Sequence, residues 1–326
     1  MEKKRILSGM RPTGPLHLGH LVGALMNWRE LQSDYECYYM IADWHALMSE
    51  YHDSSRIAEF GRIMLAEWIA CGLDPQRSVL FRQSDVPEHC ELHLILSTVT
   101  PIGWLERCPT YKEQLQELAA KEVNTYAFLG YPVLQAADIL MYRAHLVPVG
   151  EDQLPHLEIT REIARRFNGL FGAVFPEPQA KLTPTPRLLG LDRRKMSKSY
   201  GNYIALGDEP DDIRRKIMSM ITDPQRIRRS DPGHPEICNV HDYYAAFFPG
   251  EAAAVAERCR HAQVGCTDCK RRLGEGLVEM LSPICSRRND LLADTATLDR
   301  ILEEGRQRAQ ATAHATMTAV RQALKF

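Results

Sequence analysis

Two short motifs far apart in the chain carry side chains suited to phosphate chemistry. In the first, His17 and His20 lie three residues apart at the predicted start of a helix, with Gly19 between them. Backbone amides and the helix dipole favour anions there, and glycine leaves room for a flat ring or a phosphate. The second motif, Lys195 to Ser199, places two lysines beside hydroxyl groups. Together the motifs predict a site that holds a polyphosphate while charge develops on its leaving group.

A carboxylate in an apolar helical segment indicates another part of a site. Asp138 lies in the run from Tyr131 to Tyr142, whose other residues are mostly apolar. Burying an ionised carboxylate without a donor is costly, so we expect Asp138 to accept a hydrogen bond from a ligand or a neighbour. An indole N–H or a phenol O–H suits this role. A structural ion pair or a carboxylate at a helix end is the alternative.

A turn after the next predicted strand adds groups suited to a ribose. Gly150 precedes the acidic pair Glu151 and Asp152 and then Gln153, where a strand ends and a helix begins. Glycine lets the backbone approach a ribose, and carboxylates accept hydrogen bonds from its hydroxyl groups. An ordinary capped helix start is the alternative.

Four cysteines in the second half of the chain form a possible metal site. Four thiolates can complete a tetrahedral zinc site or hold an iron–sulfur cluster. The basic run Lys270 to Arg272 follows directly and is suited to nucleic-acid phosphates. The four cysteines are Cys238, Cys259, Cys266 and Cys269. The others, interpreted as buried or incidental thiols, are Cys37, Cys71, Cys90, Cys108 and Cys285.

Composition limits the class of protein that carries these motifs. The chain has 326 residues, of which 44% are hydrophobic and 25% charged, with a net charge of -2. These values are typical of a globular protein of about two domains and exclude disorder, collagen and a small disulfide scaffold. No apolar run approaches the roughly 18 residues of a membrane span. Because the cysteines are odd in number and no export signal is apparent, we expect reduced thiols and a cytoplasmic location.

Alternating apolar runs and helical patterns predict an α/β fold. Short apolar runs at 5–7, 37–42 and 79–81 alternate with helical patterns at 18–31 and 56–71, which favours a parallel sheet covered by helices. In the first helix, Gly19 and Gly23 are expected to permit close packing on the sheet. A proline-rich loop is predicted over 171–188. The later helical patterns cover 211–221, 240–248, 252–262, 267–281 and 298–324.

Taken together, these segments resemble the bacterial tryptophanyl-tRNA synthetases, which belong to class I of the aminoacyl-tRNA synthetases. The resemblance rests on the histidine and lysine motifs, the helix segment 136–140, the turn 150–153 and the segment 157–168. It implies a Rossmann-type catalytic domain over 1–205 and an α-helical anticodon-binding domain over 206–326. It further implies a homodimer whose substrates are ATP with Mg²⁺, tryptophan and tRNA(Trp), with neither a membrane nor DNA as partner.

The resemblance also assigns roles to individual residues. Asp138 corresponds to the acceptor of the indole N–H, Tyr131 and Gln153 to groups that hold the α-amino end, and His45 and Gln135 to the walls of the tryptophan pocket. The corresponding catalytic residues are His17, His20, Lys195 and Lys198. The corresponding ATP-contacting residues are Arg11, Pro12, Thr13, Gly19, His20, Gly150, Glu151, Asp152, Leu188, Lys195, Met196, Ser197, Lys198 and Ser199.

Two of these positions depart from the common pattern of the family. Arg11 stands where many members have Gln, and Gln135 stands where many have Met beside the indole. We expect a guanidinium at position 11 to contact the triphosphate directly. A subset of the family also carries a [4Fe-4S] cluster on four cysteines, and the spacing after Cys238 differs slightly from that subset. Zinc therefore stays open as the alternative at the cysteine group.

Three rival functions remain at the level of the sequence. Tyrosyl-tRNA synthetases share both nucleotide motifs and also place an Asp against the polar hydrogen of an aromatic side chain. A non-catalytic RNA-binding or regulatory paralogue could keep the fold, although it would not require both phosphate motifs. A cofactor nucleotidyltransferase would share the histidine motif but would lack the lysine loop and the long helical second domain.

Overall fold

A computed structural model describes residues 3–109, 111, 125–182 and 188–326, with the backbone alone described at Ser199. A five-stranded parallel sheet forms its centre, with strand order β3-β2-β1-β4-β5. The sequence prediction of a parallel sheet is confirmed. The strands are β1 (Arg5–Met10), β2 (Glu36–Ile41), β3 (Ser78–Arg82), β4 (Leu146–Val149) and β5 (Gln179–Leu182).

Helices connect these strands and cover both faces of the sheet. The first, α1, has three consecutive parts: Leu18–His20, a π-helical segment Leu21–Leu25, and Met26–Leu31. Apolar residues at three- and four-residue spacing place one face of α1 in the core, as the sequence predicts. The others in this half are α2 (Asp43–Glu50), α3 (Ile57–Ala70), α4 (Glu88–Val99), α5 (Ile102–Glu106), α6 (Tyr126–Met141) and α7 (Leu154–Phe171).

The second half of the chain is helical, as its periodicity predicts. The helices are α8 (Pro210–Ser219), α9 (Asn239–Phe247), α10 (Pro249–Arg260), α11 (Cys266–Ala293) and α12 (Thr295–Leu324). The sequence predicted that helix α11 ends at 281, just before Pro283. The helix instead continues to Ala293 with Pro283 inside it. Within the described ranges, no helix combines the length and apolar character that crossing a lipid bilayer requires.

Both hydrophobic cores contain residues from each half of the chain. On one side of the sheet, Leu273 and Leu281 of α11 belong to the same core as Leu25 and Trp28. On the other side, Met317 of α12 joins the core formed by the sheet and α6. Helices from the second half therefore pack directly against the central sheet and its helices. The division at 205 stays a prediction.

Two sequence predictions about local structure were wrong. The proline-rich segment 171–188 is not all loop, because β5 lies within it and pairs with β4. Prolines flank the strand without occupying it, and residues 183–187 lie outside the described part. Gly23 does not pack closely, since a Cβ built there would meet nothing within 4 Å. It lines the main cavity instead.

Candidate active site

The main cavity opens at the carboxyl ends of β1 and β4, beside α2 and α6. Its volume is about 370 Å³. Crevices at this edge of a parallel α/β sheet are the usual ligand sites of such folds. All five residues predicted to bind tryptophan line it, together with Arg11 and Gly150 from the predicted ATP set. Those five are His45, Tyr131, Gln135, Asp138 and Gln153.

Asp138 lies at the wall of the cavity and accepts three hydrogen bonds from side chains. It is 2% exposed. Its Oδ1 accepts hydrogen bonds from Gln83 Nε2 at 2.8 Å and His89 Nδ1 at 2.7 Å, and its Oδ2 accepts one from His45 Nε2 at 2.8 Å. Burial alone would raise the pKa of Asp138, but the bonds from His45 and His89 hold it below its usual value. The carboxylate is therefore an ionised acceptor at neutral pH.

A second polar group lies across the cavity on α6 and α7. Tyr131 Oη is hydrogen-bonded to His156 Nε2, and His156 Nδ1 lies 2.9 Å from Gln153 Oε1. Burial lowers the pKa of His156 to about 4, so its ring is neutral at pH 7. With neutral partners, Tyr131 and Gln153 can turn oxygen atoms toward a cationic group in the cavity.

The histidine motif begins α1, immediately after β1 and its loop. His20 Nδ1 accepts the backbone N–H of His17 at 3.1 Å, which leaves the proton of His20 on Nε2. Burial lowers the pKa of His17 to about 4, and the charge of Lys198 acts in the same direction. The pKa of His20 is well below its usual value, again chiefly through burial. Both rings are therefore neutral at pH 7 and can donate N–H groups to phosphate oxygens.

The lysine loop, residues 195–199, packs against the histidine loop, which is the segment 11–17 between β1 and α1. Lys198 Nζ donates to Gly14 O at 3.0 Å and lies 3.5 Å from Thr13 Oγ1. Gly14 has φ of +139° and a Cβ there would lie 3.2 Å from Lys198 Cδ, so a side chain at position 14 would be both strained and crowded. The lysine loop also approaches Gly19, where a Cβ would lie 3.0 Å from Met196 Sδ.

Asn202 holds the lysine loop in its shape. Its Oδ1 accepts the Ser197 N–H at 2.9 Å, and its Nδ2 donates to Lys195 O at 3.1 Å and to Asp192 Oδ1 at 2.7 Å. The residue is buried, so these bonds are shielded from water. The lysine motif in the sequence did not predict that Asn202 holds the loop.

The Lys198 ammonium group sits among opposing influences. Burial lowers its pKa to about 8, with the charge of Glu67 opposing the shift and that of Arg11 adding to it. Glu67 is itself buried on α3 and accepts the Leu16 N–H at 3.2 Å and Arg288 Nε at 3.3 Å. Burial raises the pKa of Glu67 to about 7. Glu67 thus connects the histidine loop to α11.

The remaining predicted ATP residues divide by position. Pro12 is buried beside the histidine loop, and Leu188 lies in the hydrophobic core. Glu151 and Asp152 are exposed in the turn before α7, next to Gly150 at the cavity. Lys195 is exposed, unlike Lys198.

Three functional candidates escaped the sequence reasoning. Gln83 and His89 contact Asp138, and His156 contacts Tyr131. His156 carried a signal, because it lies three residues after Gln153 on one helix face. Gln83 and His89 carried none, since they lie 55 and 49 residues from Asp138 in the sequence.

The four predicted metal-binding cysteines meet at one end of the helical half. Cys238 precedes α9, Cys259 ends α10, and Cys266 and Cys269 begin α11. Burial raises the pKa of Cys269 to about 12, and the other three thiols add to this increase. Arg226 Nη1 lies 3.8 Å from Cys259 Sγ and 4.0 Å from Cys266 Sγ.

The thiols are close enough to interact electrostatically without converging as ligands. Over the ranges that the structure describes, no three His, Cys, Asp or Glu side chains form an arrangement that could hold a metal ion. The predicted metal site is therefore not confirmed. Of the other five cysteines, Cys37, Cys71 and Cys108 are buried as expected, Cys285 is half-buried and Cys90 is exposed.

The sheet, the cavity and the two phosphate motifs define a class of protein. Residues 1–282 match the family described as tRNA synthetases class I (W and Y). The chain belongs to this family of aminoacyl-tRNA synthetases.

The similar proteins narrow the assignment within the family. Tryptophan–tRNA ligase of Thermotoga maritima is 51% identical over 325 residues, covering 99% of each chain. That of Aquifex aeolicus is 42% identical over 393 residues, covering 99% of this chain and 100% of the other. The crystal structure of tryptophanyl-tRNA synthetase from Campylobacter jejuni, complexed with ADP and tryptophan, superimposes with a TM-score of 0.88 at 32% identity, over 99% of this chain and 100% of the other. Within its family the chain is placed with the tryptophan–tRNA ligases.

Proposed function

We propose that the chain activates tryptophan with ATP and transfers it to the terminal ribose of tRNA(Trp). In the first step a tryptophan carboxylate oxygen bonds to the α-phosphorus, and the bond from that phosphorus to the bridging oxygen of pyrophosphate breaks. In the second step a ribose hydroxyl attacks the adenylate carbonyl and AMP leaves. The observation that carries this proposal is one cavity lined both by the ionised acceptor Asp138 and by Arg11, whose charge acts on Lys198 of the lysine motif.

Residues around the cavity would position tryptophan. Its indole N–H donates to Asp138 Oδ2, which His45 occupies in this structure. Tyr131 and Gln153 hold the α-ammonium group, and Gln135 contributes to the pocket wall. Because the chemistry is an in-line displacement, positioning and charge stabilisation replace any covalent intermediate with the enzyme.

The phosphate motifs would stabilise the leaving group. The neutral rings of His17 and His20 donate to phosphate oxygens, and Lys198 leaves its bond to Gly14 O to meet the pyrophosphate as it forms. Lys195, Met196, Ser197 and Ser199 complete the lysine loop. Gly19 and the segment 11–13 would contact ATP on one side, Gly150, Glu151 and Asp152 would meet its ribose, and Leu188 is proposed as a further ATP contact. Mg²⁺ would accompany ATP and offset part of the negative charge of its phosphates.

An ATP–pyrophosphate exchange assay with each of the twenty amino acids and no tRNA tests the activation step. We expect exchange with tryptophan alone. Exchange driven by tyrosine would reassign Asp138 to a phenol hydroxyl, and the absence of exchange with every amino acid would favour the non-catalytic RNA-binding protein.

The helical region 206–326 is proposed to bind the anticodon end of tRNA(Trp), with region 1–205 as the catalytic domain. Basic side chains surround the cysteine group, and they supply the positive charge that tRNA phosphates require. They are Arg226, Arg228, Arg229, Lys270, Arg271 and Arg272. Charge reversal at Arg271 should weaken tRNA binding while exchange without tRNA stays unchanged. Charging takes place where tRNA is used, so we propose a cytoplasmic location.

A [4Fe-4S] cluster on Cys238, Cys259, Cys266 and Cys269 is proposed, with Zn²⁺ as the alternative. The chemistry of the donors supports this, because four thiols that interact electrostatically are the ligands such centres use, and the Arg226 guanidinium would offset the negative charge of thiolates. A bound centre would cross-link the ends of α9, α10 and α11. Anaerobic absorption near 400 nm with stoichiometric iron and sulfide supports the cluster, whereas zinc without sulfide overturns it.

A homodimer is proposed through an apolar surface on three neighbouring helices. Leu94 of α4, Ile102 of α5 and Tyr126 of α6 are 66%, 63% and 76% exposed. Both α4 and α5 contact α6, exposed large apolar side chains are typical of interaction sites, and a second copy of the chain is the occupant implied by the family resemblance. Sedimentation of the chain and of Leu94→Lys tests this, since a monomeric parent chain would overturn it.

A further inference from the structure

We infer that His89 and Tyr142 are positioning residues that orient Asp138, so that the cavity selects amino acids whose aromatic ring carries an N–H. This inference rests on the proposed binding of tryptophan and extends it to side chains outside the cavity. The geometry that carries it is a chain of hydrogen bonds from Asp138 Oδ1 through the His89 ring to Tyr142 Oη.

The chain of bonds is buried from end to end. His89 is fully buried, and its two ring nitrogens lie 2.7 Å from Asp138 Oδ1 and 2.8 Å from Tyr142 Oη. The carboxylate accepts from Nδ1–H, and Nε2 is paired with the Tyr142 hydroxyl. Tyr142 thereby holds the ring in the orientation that donates to Asp138.

Packing holds Tyr142 itself in place. Its ring stacks on Tyr38, with centroids 4.7 Å apart, and meets Phe81 edge-on at 5.3 Å. Burial raises the pKa of Tyr142 well above its usual value, so the phenol is protonated at neutral pH. The chain of bonds therefore ends in a hydroxyl whose position is held by packing.

The two oxygens of Asp138 consequently have different tasks. Oδ1 is occupied by Gln83 and His89 from the side away from the ligand. Oδ2 faces His45, a residue that lines the cavity. A ligand N–H can thus compete for Oδ2 alone, and it meets an acceptor that cannot act as a donor. The titratable groups that face Asp138 are His45 from α2, His89, Cys90 and His93 from α4, and Tyr142 after α6.

The test compares tryptophan with benzothienylalanine, in which sulfur replaces the indole N–H, as substrates for exchange. The ratio of their kcat/KM values measures N–H selectivity directly. We expect His89→Leu to reduce this ratio at least about tenfold with KM for ATP unchanged, because Asp138 loses its orientation. His89→Asn, which keeps a donor near the Nδ1 position, should restore most of the ratio.

A matched pair of hydroxyl deletions keeps the test independent of folding defects at His89. Tyr142→Phe removes the end of the chain of bonds and should reduce the ratio about two- to fivefold. Tyr38→Phe removes the hydroxyl of the stacked neighbour, whose bonds go to Glu36 and Thr312, and should leave the ratio unchanged.

The pH dependence separates positioning from a merely structural role. Without His89 the buried Asp138 loses a donor and its pKa rises, so KM for tryptophan should increase as pH falls from about 8 to about 6. A structural role would raise KM equally at every pH. An unchanged ratio in both His89→Leu and Tyr142→Phe overturns the inference, whereas a parent enzyme without tryptophan-dependent exchange overturns the proposed function.

Discussion

Buried acidic groups have pKa values shifted in opposite directions in the proposed tryptophan cavity and in the cysteine group. Asp138 is surrounded by three donors, and its pKa lies below the usual value despite burial. Cys269 is surrounded by three thiols, and its pKa rises to about 12 because burial and its neighbours both disfavour the thiolate. Protein donors stabilise the charge of the first group, whereas a bound metal would stabilise the thiolates of the second far more than Arg226 alone does.

The protein alone preorganises the cavity, whereas the cysteine group would depend on the proposed metal centre. Because the donors and acceptors of the cavity are already paired, the cavity needs little rearrangement to bind a ligand. Substitutions in it should therefore act directly on catalysis or affinity. Substitutions at the cysteine group should instead leave activation untouched. Substitutions at the two sites test this difference.

Lys198→Ala should lower kcat for activation by about a hundred- to a thousandfold, with the tryptophan Kd nearly unchanged. The lysine interacts with charge that develops only as pyrophosphate leaves. Pre-steady-state adenylate formation and equilibrium binding measure the two quantities. Arg194→Ala, in the same loop but exposed and paired with Asp192, is the control. Equal loss of rate and affinity would contradict this role.

Asp138→Asn should raise KM for tryptophan about ten- to a hundredfold and leave KM for ATP within about twofold. The amide keeps the shape of the side chain but removes the charge that strengthens the bond to the indole N–H. Steady-state exchange kinetics give both constants. A parallel increase in KM for ATP would show that the pocket, rather than the acceptor, has been damaged.

The rate should fall with rising pH because Lys198 must be protonated. Its pKa of about 8 predicts that kcat/KM for ATP declines about tenfold per pH unit above that value. The charged form is lost as pH rises through the pKa, so the loss lies on the alkaline side. Lys198→Arg should move this decline to higher pH, and an unmoved profile would assign it to another group.

Arg11→Ala should raise KM for ATP about five- to tenfold with a smaller effect on kcat. The guanidinium lines the cavity, where we expect it to contact the triphosphate in the ground state as well as in the transition state. Initial rates over a range of ATP concentrations measure this. Unchanged ATP affinity would eliminate a direct contact.

Cys266→Ser should abolish the proposed metal binding and change tRNA-independent exchange by less than about twofold. The cysteine lies at the start of α11, at the end of the helical half, and no predicted catalytic side chain is among the groups that it contacts in the described part. Metal analysis and exchange rates are measured on the same sample. Cys285→Ser, a half-buried cysteine on the same helix but outside the group, should keep both values. A large loss of exchange would end the contrast between the two sites.

Much of the fold followed from local patterns in the sequence. The alternation of apolar runs with helical periodicity predicted the parallel sheet, and helix periodicity predicted α8 to α12. It did not predict β5, because a strand of four residues between prolines has too short a pattern to stand out. Gly23 was misjudged because glycine fits both close packing and an open cavity wall.

Residue types and spacing along the chain also determined the candidate chemistry: the two phosphate motifs, the acidic residue in an apolar helix and the grouped cysteines. Tertiary structure alone decided which distant groups meet. Only folding brings Lys198 to Gly14, 184 residues away, and His89 to Asp138. Periodicity encodes which face of an element is buried, whereas the partners on that face depend on how strands order and helices stack. The sequence therefore specified the reacting groups, and the stacked sheet and helices specified the donors that orient them.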